Sequence, residues 1–244
     1  MSIKKKVFAV AATMTMVGGV SAVGLLPATA DTPSCNGSDC ITAYGDEFGP
    51  SFVFDVLRQG EKAGQPVILF RNSNTDPAED FVFNNQGPVS DFYAAGLVSK
   101  ALDLHYGGAG CEDYDPSTAT CVTPYPDFEA YELEYAPYGV DSGLCVGVGS
   151  TPADGTPVAL EQCGVSSKTL WIADSYDTIA GGYVPLINGA DTNFSHPYVL
   201  NYPGNGAYPT NVPRPQLDTW TLSKYSNGTV FDNQLWGADF GVLR

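Results

Sequence analysis

Only His105 and His196 are of the type that serves as a near-neutral base, and neither has the neighbours that nucleophilic or hydrolytic catalysis requires. His105 stands beside Tyr106 and His196 precedes Pro197. No G-x-S-x-G elbow, H-E-x-x-H pair or phosphate-cradling Gly-Lys loop surrounds either. Carboxylates are plentiful, 27 Asp and Glu in 244 residues, but a glycosidase pair is identified by its separation in space, and nothing in the sequence selects one. Glu112, Asp113 and Asp115 invite a calcium reading, yet the glycine and terminal glutamate of a calcium loop are missing, so a solvated surface loop is expected. No enzyme, metal or cofactor is expected; an extracellular hydrolase without a legible motif stays as one alternative.

The compartment follows from the N-terminus. Lys4, Lys5 and Lys6, an apolar stretch over 7–26 and the small-x-small site Ala28-Thr29-Ala30 read as an export signal over residues 1–30. The stretch is also long enough for an uncleaved anchor, but its threonines, serine and glycines and the site behind it favour cleavage and secretion. Cleavage would leave 8 basic side chains against 27 acidic ones, a net charge near −19. Such a surface repels phosphate backbones and anionic lipid, so neither nucleic acid nor membrane is expected as a partner, and the chain is expected to be a monomer. The six cysteines of an exported chain point to disulfides rather than zinc, since none lies in a C-x-x-C pair. Fifteen pairings exist; proximity suggests Cys35 with Cys40, Cys111 with Cys121 and Cys145 with Cys163.

The elements that must position any site are short strands. Residues 144–171 give the clearest example: apolar alternation at Val146, Val148, Val158 and Leu160, an Asp154-Gly155 turn, two cysteines and a closing Trp171. Residues 51–81 repeat the design, with strands at 52–56 and 67–70 and Phe81 in the closing position. A weaker copy starts at Leu102-Asp103-Leu104 and continues through Val122, Tyr125 and Tyr131. A fourth begins at Asn188, opens its second strand at Val199 and closes at Trp220, with a Pro-rich excursion over 208–215. Phe81, Trp171 and Trp220 are expected inside the fold.

The apolar-Cys-apolar start, the D-G-T-P-V-x-L turn and strand, the second cysteine and the terminal tryptophan of 144–171 resemble one repeat of the ricin B-chain-like β-trefoil lectins. The match is close over that repeat and loose elsewhere. It departs from the family at Gly147, where sugar-binding repeats carry aspartate, and at Thr169, where the glutamine of Q-x-W belongs. The resemblance implies an all-β, β-trefoil-like set of pseudo-repeats, gives Cys145 and Cys163 the family's repeat-internal position, and implies a shallow sugar site built from an acid, an aromatic platform and an orienting amide. Carried over residue by residue, it nominates Asp55 with Phe70, Asp103 with Tyr125, and Asn188 with Tyr202, and it leaves Gly147 with Glu161 empty. Glu79 and Asp218 stand where the amide is expected. Against this, an aspartate at a strand end commonly caps a turn, and a strand phenylalanine is commonly core.

The resulting expectation is a polar leader over 31–45 and a β-trefoil-like domain over 46–244; because four copies exceed a trefoil's three, either 96–140 is an insertion, or a peripheral unit packs beside the barrel, or the architecture is a small β-propeller instead. The expected function is a secreted lectin-like module for a glycan or polysaccharide. A secreted protein-binding or protease-inhibitor module of the same fold is the rival reading, by analogy alone.

Overall fold

A computed structural model of the chain describes residues 40–73, 75–177, 182–203 and 215–240. The leader over 1–30, Cys35 and most of the excursion over 208–215 therefore lie outside the described residues. In chain order the elements are β1 (Cys40–Gly45), β2 (Phe52–Val56), β3 (Val67–Arg71), β4 (Phe81–Pro88), α1 (Val89–Ala94), α2 (Lys100–Tyr106), β5 (Cys111–Asp115), β6 (Thr120–Pro124) and β7 (Glu129–Tyr135). There follow β8 (Leu144–Val148), β9 (Thr156–Gln162), β10 (Leu170–Ala173), β11 (Leu186–Asn188), β12 (Tyr198–Asn201), β13 (Asp218–Thr221) and β14 (Trp236–Phe240).

The all-β class is observed, but the arrangement of equal pseudo-repeats is not. Strands β7, β8, β9, β13, β12, β11 and β10 pair in that order, and β10 pairs back onto β7, which closes a seven-stranded antiparallel barrel. Five further strands extend from it: β4 on β7, β1 on β4, and β2, β3 and β14 reached through β1. The continuous sheet also excludes the separate blades of a propeller. The physical reason is unequal pairing. Residues 89–128 supply two helices and the detached hairpin β5–β6, whereas β7, inside the suspected insertion, is a barrel strand. Residues 40–45, assigned to the polar leader, pair with β14, β2 and β4.

The copy at Leu102-Asp103-Leu104 is α2, not a strand. Ser99 caps it by accepting from the Leu102 amide at 3.1 Å, and buried Leu102 and Tyr106 recur at helical spacing. A three-residue alternation is too short to decide the period, and the cap signal outweighs it. Both helices pack on the outside of the barrel. Val89, Phe92, Leu102 and Tyr106 cover Leu170, Ile172, Ile187 and Val199, while Phe54, Phe81, Tyr135, Val146, Trp171, Leu200 and Trp236 fill the other core. Double coverage explains why β10, Leu-Trp-Ile-Ala, reads as an apolar run rather than an alternation.

Aromatic closures anchor the interior. Phe81 and Trp171 are fully buried, and the Trp171 indole N–H donates to the Val146 carbonyl at 2.9 Å. Trp220 does not share that role: 44 % of it is exposed. Trp236 takes the place instead, donating to the Leu200 carbonyl at 2.8 Å from a buried position. The bonds Cys111–Cys121 and Cys145–Cys163 are formed, and Cys40 is disulfide-bonded. Among the described residues no helix is long and apolar enough to cross a membrane.

Candidate functional site

Strand register creates three comparable corners. On β2 and β3, Asp55 lies opposite Ile68 and Val53 opposite Phe70; on β8 and β9, Gly147 lies opposite Ala159 and Cys145 opposite Glu161; on β12 and β13, Asn201 lies opposite Asp218 and Val199 opposite Trp220. Opposed residues share a sheet face, as do alternate residues of one strand, so Asp55 is the diagonal neighbour of Phe70, Gly147 of Glu161 and Asn201 of Trp220. Each corner is completed by the last residue of a short 3-10 turn lying two positions before the buried aromatic: Glu79, Thr169 and Gln234.

At the β12–β13 corner the side chains form an open cleft of about 260 Å³, lined by Asn201, Pro203, Trp220, Ser223, Phe231, Asn233 and Gln234. Its floor is a chain of amides. Asn201 donates to Asp218 Oδ1 at 2.7 Å, and Asn233 donates to Asn201 Oδ1 and to the Tyr202 carbonyl, both at 3.0 Å. Gln234 accepts from the Ser223 amide at 2.7 Å and donates to the Thr221 carbonyl at 3.1 Å, which fixes the chain just beyond Trp220. Asp154 holds the same segment from the turn between β8 and β9, accepting from the Thr221 amide and hydroxyl at 2.6 and 2.8 Å. Trp220 is thus an exposed ring on a backbone braced from both sides. Burial pushes the Asp218 carboxyl up to about 6, against the Asn201 hydrogen bond and with help from Asp154.

The β2–β3 corner is acidic. Carboxylate oxygens of Asp55, Asp76 and Glu79 lie within 4.8 Å of one another. The Ser73 amide donates to both Glu79 oxygens at 3.1 and 3.2 Å, and Asp76 accepts from the Ala78 amide at 2.9 Å and the Gln59 side chain at 2.8 Å. Half-buried Phe70 stands diagonal to Asp55. An all-oxygen set of this kind accepts hydroxyl donors or a hard cation.

The β8–β9 corner is closed. A Cβ on Gly147 would lie 2.9 Å from both the Lys168 carbonyl and Thr169 Cγ2, so no aspartate fits there. Glu132 reaches in from β7 to accept from the Gly164 amide and the Thr169 hydroxyl. It does for Gly164 what Glu79 does for Ser73 and Gln234 for Ser223, in each case for the amide three residues beyond the platform position.

The nominated residues therefore scatter. Asp55, Phe70 and Glu79 come together. Asp103 is buried on α2, with one carboxylate oxygen unpartnered among the described residues, and Tyr125 packs its ring 5.0 Å from His105, so this pair has no strand-hairpin geometry. Asn188 is fully buried, donating to the Lys168 carbonyl and accepting from the Ala190 amide. Tyr202, 1 % exposed, packs edge-on against Phe48 in the core. Asp218 lies at the β12–β13 corner, opposite Asn201 rather than in the amide position. Sequence reasoning missed Asn201, Asn233, Gln234 and the exposed position of Trp220 beside the cleft. The available signal was Gln234-Leu235-Trp236, the Q-x-W spacing itself, which the choice of Trp220 as closing residue passed over.

No family model and no curated protein matches the chain. Among solved structures it is similar to the designed three-fold symmetric protein ThreeFoil, at 15% identity over 82% of this chain and 97% of that one, with a TM-score of 0.49. An exo-β-1,3-galactanase from Clostridium thermocellum matches at 11% identity over 84% of this chain and 30% of that one (TM-score 0.49). A cytolethal distending toxin from Actinobacillus actinomycetemcomitans matches at 10% identity over 85% and 94% (TM-score 0.46).

Proposed function

We propose that this chain is an exported carbohydrate-binding module that acts without catalysis, with its principal site at the β12–β13 corner and a second at the acidic β2–β3 corner. One observation carries the reading: a braced tryptophan, 44 % exposed, walls a cleft whose floor is made of side-chain amides. An apolar ring held in water beside oriented donors and acceptors suits a ligand with one C–H face and a rim of hydroxyls, which is the chemistry of a pyranose. The disulfides favour an oxidising, extracellular setting, in keeping with the leader read over 1–30.

A shallow site of this kind gives single-site dissociation constants on the order of millimolar to tens of micromolar, tightened when both corners engage one polymer. A glycan array probed with the wild type, Trp220→Ala, Asp55→Ala and the variant carrying both substitutions tests the assignment. Trp220→Ala removes most binding and Asp55→Ala part of it. Retention of full binding by the double variant would place any glycan elsewhere, and no binding by the wild type would sink the reading.

A further inference from the structure

The cleft does not end at its own rim. Residues 223–231 fold back as a tight hairpin: the Tyr225 amide donates to the Thr229 carbonyl at 2.8 Å, Phe231 to Ser223 at 3.0 Å and Gly228 to Tyr225 at 2.9 Å. Asn227 closes the tip by accepting from the Thr229 amide and hydroxyl, and Lys224 ties the outer strand to Asp177 at 2.7 Å. Phe231 lines the cleft, and its ring lies 4.5 Å from that of Tyr225, tilted by 36°. Tyr225 is 46 % exposed and is not among the residues that line the cleft, so it stands one ring further out. Trp220 and Phe231 both line the cleft and Tyr225 packs on Phe231, so the aromatic surface that starts in the cleft extends past it along the hairpin. A rigid hairpin holding a large ring in water, next to a ring that belongs to the site, is what a longer ligand would use.

We infer that the 223–231 hairpin is a second subsite, in which Tyr225 carries the sugar residue next to the one held at Trp220, so that the module selects linear oligosaccharides over monosaccharides. This inference rests on the proposed carbohydrate site. Once the first residue is seated, the second binds as an intramolecular event, so its contacts multiply the affinity rather than add a separate weak site.

The test compares D-glucose, D-galactose, D-xylose and N-acetylglucosamine, each with its linear trisaccharide, by calorimetric titration of wild type, Tyr225→Ala, Tyr225→Phe and Trp220→Ala. For the sugar that binds, the trisaccharide is expected to be tighter than the monosaccharide by about tenfold or more. Tyr225→Ala should erase that ratio while leaving the monosaccharide constant unchanged, and Tyr225→Phe should keep it. Trp220→Ala should remove most binding of both lengths, leaving only what the β2–β3 corner holds. Equal affinity for the two lengths, or an unchanged ratio in Tyr225→Ala, overturns the subsite while monosaccharide binding mostly lost in Trp220→Ala upholds the cleft. Absence of binding for all eight probes overturns both. An unaltered near-ultraviolet spectrum for Tyr225→Ala separates lost contact from lost fold.

Discussion

Where β12 meets β13, Asn201, Asp218 and Trp220 occupy the register positions that Gly147, Ala159 and Glu161 occupy where β8 meets β9. The backbones pair alike, and each corner ends in a buried tryptophan whose indole N–H bonds a strand carbonyl. Their fillings differ. In one, an amide from the adjacent 3-10 turn satisfies the Ser223 N–H and the ring stays outside; in the other, Glu132 from a neighbouring strand satisfies Gly164, Thr169 closes over the glycine, and Cys145 is bonded to Cys163. The equivalent backbone N–H finds a side-chain acceptor in both corners, from the adjacent turn in one and from a neighbouring strand in the other. One corner is filled by its own side chains, and the other leaves a cleft beside an exposed ring.

The contrast is sharpest in its tryptophans. Trp171→Ala should cost roughly 3–5 kcal/mol of stability, because it empties a fully buried site, and Trp236→Ala should cost a similar amount. Trp220→Ala, at an exposed ring, should cost within about 0.5 kcal/mol. Urea denaturation of the three variants checks the ranking, and a large loss in Trp220→Ala would mean that the exposed ring is structural. Next in size, replacing Cys145 and Cys163 together with alanine should remove about 3 kcal/mol in the chain-entropy estimate for an eighteen-residue separation, without changing glycan binding at the other corner.

Gly147→Asp probes whether the closed corner can be turned into an acidic one. The new Cβ meets the Lys168 backbone, so the substitution should destabilise by about 1–3 kcal/mol and create no sugar site. A stable variant that gains glycan binding would show the corner to be more plastic than its packing implies. The smallest effect concerns Asp218, which stands where the other corners carry Ile68 and Ala159. Its carboxyl, pushed up to about 6 by burial, lies above its unfolded value, so the native state holds the proton more tightly than the unfolded chain does. Stability from this group therefore rises as pH falls from about 6 to about 4 and is lower throughout the range above. Asp218→Asn keeps an acceptor for Asn201 and removes the buried charge. It should be more stable than wild type near neutral pH, with the difference vanishing by about pH 4. A gap that widens on acidification would contradict the assignment.

What the sequence disclosed follows distance along the chain. The β8–β9 hairpin, its disulfide and Trp171 lie within one short stretch, and alternation, turn and cysteines agree there. Asp55 and Phe70 are legible for the same reason, as two ends of a single hairpin. Barrel closure was not, because β10 on β7 and β13 on β9 join segments that no local period connects. Asn201 and Trp220 were hidden by the long excursion between them, which broke the spacing seen in the other hairpins, while Asn188 and Val199 imitated a repeat start. Asp103 failed because a capped helix can carry a brief apolar alternation.

The chain has three tryptophans, and only Trp220 is exposed, which makes their indole N–H resonances a direct readout of the central claim. The full chain would be titrated with the glycan-array ligand while the three indole signals are followed, Trp220 being assigned through Trp220→Phe. The account predicts that the Trp220 signal shifts in a saturable way while those of Trp171 and Trp236 stay in place. Saturable glycan binding that leaves the Trp220 signal unmoved would contradict it.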